Sequence, residues 1–371
     1  MSQPAAPRGA ALHIPSLDGI RALSFLLVFA AHAGLSRVVP GGFGVTVFFF
    51  LSGYLITTLL RMEYEASGTV NFRQFYLRRA LRILPPFYIV LGLAAAAAAL
   101  GLIPGGFEPR ALGAQALHLA NYWIVARGYE GQPAGTGVYW SLAVEEHFYV
   151  VFPLLFLALT RLLRGAGARA GALLGLCAVV LLWRCVLVFG FHVAPDRTYV
   201  ASDTRVDSIL FGCALALWGN PALDASPIRD VLWKRVLLPA ALLLLLGTFV
   251  VRWAPARETI RYTIQGIALI PVFVVAMRYP TWGPFRLLNL RAVSFLGVLS
   301  YPLYLVHHVV LEGLTPVLGV GLPRGLAAFV LSLAIAWGLH ELVEKPSARL
   351  RRRLSAPRAG APASLAGAPG S

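Results

Sequence analysis

Charge is scarce in this chain. Of its 371 residues only 13% are Asp, Glu, Lys or Arg, against 58% hydrophobic, which excludes an ordinary water-soluble domain. Acids are scarcer still, 16 against 32 bases. The basic residues do not gather in one soluble patch, which argues against nucleic acid as a partner. They fall in short blocks between apolar runs, the pattern of loops held on one side of a bilayer. Cysteine is almost missing. Cys177, Cys185 and Cys213 lie in apolar stretches, are odd in number and lack metal-ligand spacing. They read as small core hydrophobes, with neither a disulfide framework nor a metal site expected. The N-terminus has no small-residue cleavage site following an apolar core, so the first hydrophobic helix is expected to stay.

What the chain has in plenty is apolar length. A spanning helix needs about 20 mainly apolar residues, and about ten candidates fall at 18–36, 41–60, 84–103, 138–160, 171–191, 206–219, 236–253, 260–278, 292–312 and 322–343. The expected fold class is therefore all-α, a polytopic membrane helix bundle, with 206–219 its shortest member. Lys and Arg concentrate in the N-terminal segment and in alternate loops, which places both termini in the cytoplasm of an inner (cell) membrane, although the loop with Arg252, Arg257 and Arg261 runs against the bias. No internal repeat is visible, and "AAAAA" at 94–98 reads as close-packing helix surface. The organisation expected is a cytoplasmic segment 1–16, one membrane domain 17–350, and a disordered cytoplasmic tail 351–371 rich in Ala, Pro, Gly and Ser, with no appended soluble enzyme.

Polar residues inside such helices carry the functional signal. In "SLDGIRALSFLLVFAAHAG", Arg21 and His32 are eleven residues apart, which on an α-helix is about three turns, within ~20° of one face, with a rise of ~16 Å. The face either lines a polar cavity or carries a snorkelling arginine and a histidine bonded to backbone. "GGFGVTVFFFLSGYLITTLL" is a second span with glycines at its start, where close helix approach is easy. "NFRQFYLRRALRILPPFY" follows, with Arg79 and Arg82 on one helical face and a Pro-Pro expected to open the third helix. Paired guanidinium groups suit phosphate; the plainer reading is a grip on anionic lipid headgroups. In "VYWSLAVEEHFYVVFPLL", Ser141 and Glu145 share a face while Glu146 is expected to point elsewhere, and acids entering a membrane need partners.

Taken together, "LDGIRAL…H", "GGFGVTVFFFLSGYLIT", "FYLRRALRILP", "WSLAVEEHFY", "TRVDSILFG", "LSYPLYLVHH" and "HELVEKPSARL" resemble the membrane-bound acyltransferase-3 family, in family order from about residue 17 to 350. The resemblance implies an integral-membrane O-acyltransferase taking an acyl group, usually acetyl, from cytoplasmic acyl-CoA to a hydroxyl of a carbohydrate or other acceptor. The family's Arg-x10-His motif falls on Arg21 and His32, its Arg-x-x-Arg motif on Arg79 and Arg82, and its Ser-x-x-x-Glu motif on Ser141 and Glu145. It departs at Thr46, where the family commonly has Asp, so no charge-relay role carries over there. On this reading His32 is the general base, Arg79 and Arg82 bind the donor's phosphates, Arg21 contacts the donor between that entrance and the histidine, Glu145 orients or polarises the imidazole and Ser141 donates to the thioester oxygen. His32 or Tyr139 as a transient acyl carrier is the alternative chemistry.

Other polar residues have plainer readings. Arg205 and Asp207 suggest a buried ion pair or an acceptor-binding edge. Of His307 and His308, one is expected to hydrogen-bond in the bundle or touch the acceptor, zinc needing more ligands. His340, Glu341, Glu344 and Lys345 read as capping and headgroup contacts, and His13, His118, His147 and His192 lack a supporting constellation. Two other classes stay open: a proton-coupled transporter, which would use intramembrane titratable residues without a phosphate-binding pair, and a scaffold in polysaccharide assembly, which would give His32 no task.

Overall fold

A computed structural model describes residues 14–226 and 228–355. His13 and most of the expected terminal segments lie outside the described residues. The chain folds as α1 (Leu17–Leu35), α2 (Gly41–Ser67), α3 (Phe72–Ala99), α4 (Pro109–Ala116), α5 (Ala120–Arg127), α6 (Thr136–Leu162), α7 (Ala166–Gly190), α8 (Pro195–Val200), α9 (Ser202–Leu217), α10 (Asp230–Val250), α11 (Ala254–Glu258), α12 (Ile260–Arg278), α13 (Arg291–Val298), α14 (Ser300–Leu318) and α15 (Leu322–Leu354). No strand forms among the described residues. Among them, eight helices are long and apolar enough to cross a membrane, and nine if α13 and α14, bent by 73° at Leu299, count as one span. The chain is a multi-pass membrane protein.

The remaining segment of the sequence count is α9. Its 16 residues extend about 24 Å, short of a hydrocarbon core of about 30 Å. Yet it is buried without a break from Ser208 to Leu217. It runs between α2, α7 and α12, with α2 its most extensive neighbour. Glycine makes that approach: a Cβ at Gly53 would strike the carbonyl of Ile209, and one at Gly212 the carbonyl of Phe50.

Two local expectations change. The third helix does not open at Pro85–Pro86 but at Phe72, where the Asn71 side chain accepts from the Gln74 amide at 3.0 Å. The prolines sit inside it, where they remove the N–H partners of the Leu81 and Arg82 carbonyls, and α3 is tied to α14 close by through a hydrogen bond from the Tyr301 hydroxyl to the Ile83 carbonyl at 2.8 Å. The stretch between α3 and α6, which lies between two expected spans, is itself partly helical. Its short helices α4 and α5 fold back so that His118, at a φ of 54°, stacks on Phe87 of α3 with centroids 4.5 Å apart. The last segment of α15, from Lys345 onward, carries helix into the region assigned to the tail and packs on α3.

Arg205 and Asp207 do not pair. Two residues apart on a helix they face different neighbours. Asp207 meets Arg184 of α7 at 2.7 Å, both fully buried. Arg205 donates to the Tyr199 carbonyl (3.0 Å) and the Thr46 hydroxyl (3.2 Å), with its guanidinium 4.0 Å from the Tyr262 ring centre.

Candidate functional site

A cavity of about 530 Å³ opens between α1, α2, α3, α6 and α14. Its wall on α2 is mostly apolar, from Val45, Phe49, Leu55 and Leu59 with Ser52 among them, and charge faces it from α1, α3 and α6. Arg21 and Asp18 come from α1, Arg79 and Arg82 from α3, and Glu145 and Glu146 from α6. The Arg21 guanidinium is held by Asp18 at 2.8 Å. Arg78 is similarly occupied by Glu63 at 3.0 Å. Arg79 and Arg82 have no hydrogen bond or ion pair among the described residues. Arg79 is half-buried, its guanidinium 5.6 Å from the Tyr149 ring centre, whereas Arg82 is exposed. The three-residue spacing on α3 thus delivers two uncommitted guanidinium groups to one chamber.

The acids opposite have other arrangements. Glu145 accepts from the Ser52 hydroxyl at 2.6 Å, with the Tyr149 hydroxyl 3.4 Å from its second oxygen. Glu146, expected to point elsewhere, also lines the cavity, and its Oε1 is buried without a partner. Deeper in, the Ser141 and Tyr304 hydroxyls lie 2.7 Å apart, and both reach the Val138 carbonyl, at 3.2 and 3.0 Å. Phe48 and Tyr304, with ring centres 6.2 Å apart, line this end.

His32 is not among the residues lining the cavity. The α-helical part of α1 ends at Ala30, and Ala31–Leu35 winds as a π-turn that closes with Gly34 at a φ of 115°. That turn carries the ring to α14, where His32 Nδ1 lies 3.0 Å from His307 Nε2. His307 is fully buried, and its Nδ1 is 2.8 Å from the Tyr304 carbonyl. His308 lies against the other side, ring centres 4.5 Å from His32, with its Nε2 3.5 Å from Glu312. Arg324 of α15 donates to the His32 carbonyl (3.3 Å) and the Thr315 hydroxyl (2.8 Å). Gly135, at a φ of 80°, abuts the backbone of His308 and Val309 so closely that any Cβ would collide.

The structure therefore gathers Arg21, Arg79, Arg82, Ser141 and Glu145 around one chamber and leaves His32 outside its lining. Glu145 is not the partner of His32; His307 is. The histidine doublet in "YLVHH" was the available signal for that contact. Arg324 went unnoticed because one arginine after Gly-Leu-Pro is indistinguishable in sequence from a topology-setting loop charge.

A family model described as an acyltransferase domain matches residues 14–341, and the chain belongs to that family. It is 28% identical over 348 residues to the peptidoglycan O-acetyltransferase OatA of Listeria monocytogenes, covering 89% of this chain and 54% of that protein. It is 29% identical over 358 residues to the putative peptidoglycan O-acetyltransferase YrhL of Bacillus subtilis, covering 90% and 55%. A putative O-acetyltransferase of Staphylococcus aureus is 27% identical over 313 residues, covering 81% and 51%. The chain spans about half the length of these relatives. No solved structure matches it.

Proposed function

We propose, from membership of the acyltransferase family, that this chain is a membrane O-acetyltransferase with acetyl-CoA as donor and a carbohydrate hydroxyl as acceptor. The observation that carries the reading is the pair Arg79 and Arg82, free of carboxylate partners among the described residues, in a chamber lined at one end by Tyr304, whose backbone bonds the His32 partner His307. Phosphate groups bind well to such guanidinium pairs. The chamber's volume of about 530 Å³ lies within the usual range for small-molecule sites. On this reading both termini are cytoplasmic, the arginine end of the chamber faces the cytoplasm of the inner membrane, and membrane lipid surrounds the bundle.

The donor's phosphates rest on Arg79 and Arg82, with Arg21 nearer the thioester arm. The arm passes between Phe48, which is only partly buried, and Tyr304. Ser141 and Tyr304 offer hydroxyl donors to the carbonyl oxygen as charge develops on it. His32 takes the proton of the acceptor hydroxyl while that oxygen attacks the thioester carbon. The carbon–sulfur bond then breaks, and the proton passes to the departing thiolate, giving ester and free CoA thiol. The relatives' names suggest peptidoglycan as the acceptor class.

The test is turnover of labelled acetyl-CoA by the purified protein in liposomes, with and without cell-wall glycan. Transfer or slow thioester hydrolysis that disappears in His32→Ala supports the assignment. Wild-type protein that neither binds nor turns over acyl-CoA, while moving solute in response to a proton gradient, would replace it with the transporter reading.

A further inference from the structure

The hydrogen bonds around His307 fix more than its own position. A backbone carbonyl only accepts, so the 2.8 Å contact between His307 Nδ1 and the Tyr304 carbonyl requires the proton on Nδ1. In a neutral imidazole the other nitrogen is then an acceptor. His307 is fully buried with no carboxylate on either ring nitrogen, so nothing there compensates a second proton. The acceptor Nε2 is the atom facing His32 Nδ1 at 3.0 Å. His32 must therefore donate from Nδ1, and its lone pair lies on Nε2.

We infer that His307 is a positioning residue that sets the tautomer of His32, leaving His32 Nε2 as the nitrogen that accepts the substrate proton. The inference rests on His32 being the base. It assigns to a neutral imidazole, anchored to the Tyr304 backbone, the orienting task that a carboxylate performs in other base-orienter pairs. Arg324 completes the clamp by holding the His32 carbonyl at 3.3 Å. When His32 takes the hydroxyl proton on Nε2, it keeps Nδ1–H on His307. The same proton leaves from Nε2 to the thiolate, so His307 changes neither charge nor tautomer during turnover.

The charged and titratable groups that face His32 are His307 and His308 from α14 and Arg324 from α15, with Glu312 behind His308. Among the described residues no carboxylate touches the ring. An imidazolium at His32 is consequently stabilised by dipoles alone. A carboxylate installed at position 307 should extend protonation of His32 to higher pH.

The experiment compares His307→Phe, His307→Gln and His307→Glu with wild type and His32→Ala, measuring acetyl-CoA turnover against pH together with the thermal midpoint. Phe fills the space without an acceptor, whereas Gln offers Oε1 to His32 and its amide N–H to the Tyr304 carbonyl. His307→Phe should lower kcat roughly 100-fold or more, within the range of losing an oriented base, and leave KM for acetyl-CoA unchanged. His307→Gln should recover most of that loss, and His307→Glu should move the acidic limb of the kcat profile to higher pH. If His32→Ala is inactive but His307→Phe keeps wild-type kcat, or if Gln and Phe fail alike with lowered midpoints, the positioning role is wrong and the base assignment survives. If His32→Ala turns over like wild type, the base assignment itself has failed.

Discussion

Replacing Arg79 and Arg82 one at a time by Gln should produce unequal losses, because their surroundings differ. Arg79 is half-buried under Tyr149, where its bond to a phosphate is little screened, whereas Arg82 is exposed. A hydrogen bond to a charged group in the former setting contributes about 1.5–3 kcal/mol, equivalent to a roughly 10- to 150-fold rise in apparent KM for acetyl-CoA at 1.4 kcal/mol per decade. An exposed pair contributes about 0.2–1 kcal/mol, a rise of no more than about fivefold. The smaller effect should also fade between low and physiological salt, as the Debye length falls to about 8 Å. Initial rates against acetyl-CoA concentration, at two ionic strengths, measure both quantities. KM should carry the change in each case, since the phosphates do not alter along the reaction coordinate. Equal losses for the two variants, or a fall in kcat at constant KM, would refute the assignment of these residues to the donor's phosphates.

The buried Arg184–Asp207 pair predicts a non-additive pattern. Arg184→Met alone should destabilise by about 3–5 kcal/mol, while Arg184→Met with Asp207→Leu should lie within about 1–2 kcal/mol of wild type, read as thermal midpoints in detergent. Thr46→Asp should raise the midpoint by giving the orphaned Arg205 Nε a carboxylate to bond, an effect of about 1–3 kcal/mol; a lower midpoint would mean that Arg205 needs no further acceptor. In the connection before α10, burial works to raise the Asp224 carboxyl, but the paired hydrogen bonds and charge of Arg61 outweigh it and hold the group below its ordinary range. Because the folded state depresses this group, its contribution is intact above the unfolded value of about 3.9 and is lost as pH falls through the lower folded one. Asp224→Asn should therefore flatten the loss of stability in that acidic window, and an unchanged acid profile would contradict the pairing.

The chamber was legible because its residues obey helix arithmetic. Three-residue and four-residue spacings bring Arg79 with Arg82, and Ser141 with Glu145, to common faces whatever the bundle does around them. The same arithmetic does not by itself put His32 in the chamber, since the histidine lies about three turns beyond Arg21, at the start of the π-turn Ala31–Leu35, where its ring meets α14. Pro85–Pro86 reads as a helix start when hydrogen bonding within one helix is the only consideration, but the capped start at Asn71 lies upstream and the helix runs through both prolines. Glu146 illustrates a different limit: its presence in the chamber follows from the width of the opening, which five helices set together. His307 and Arg324 reach His32 from 275 and 292 residues away, and no local pattern encodes such separations.

The brevity of α9 has a consequence for how the protein is made. A segment of 16 residues that carries Asp203, Arg205 and Asp207 is a poor substrate for direct partition into lipid, since charged residues oppose insertion and the remaining length does not reach across the bilayer. The counterion of Asp207 comes from α7, and a hydroxyl for Arg205 and the close glycine contact come from α2; both helices emerge from the ribosome earlier. The helix is thus a guest admitted by a reception surface already standing in the membrane. Bulk added at Gly53 would act first on biogenesis, leaving chains with an uncaptured sixth passage for the quality-control proteases, before any effect on the finished molecule.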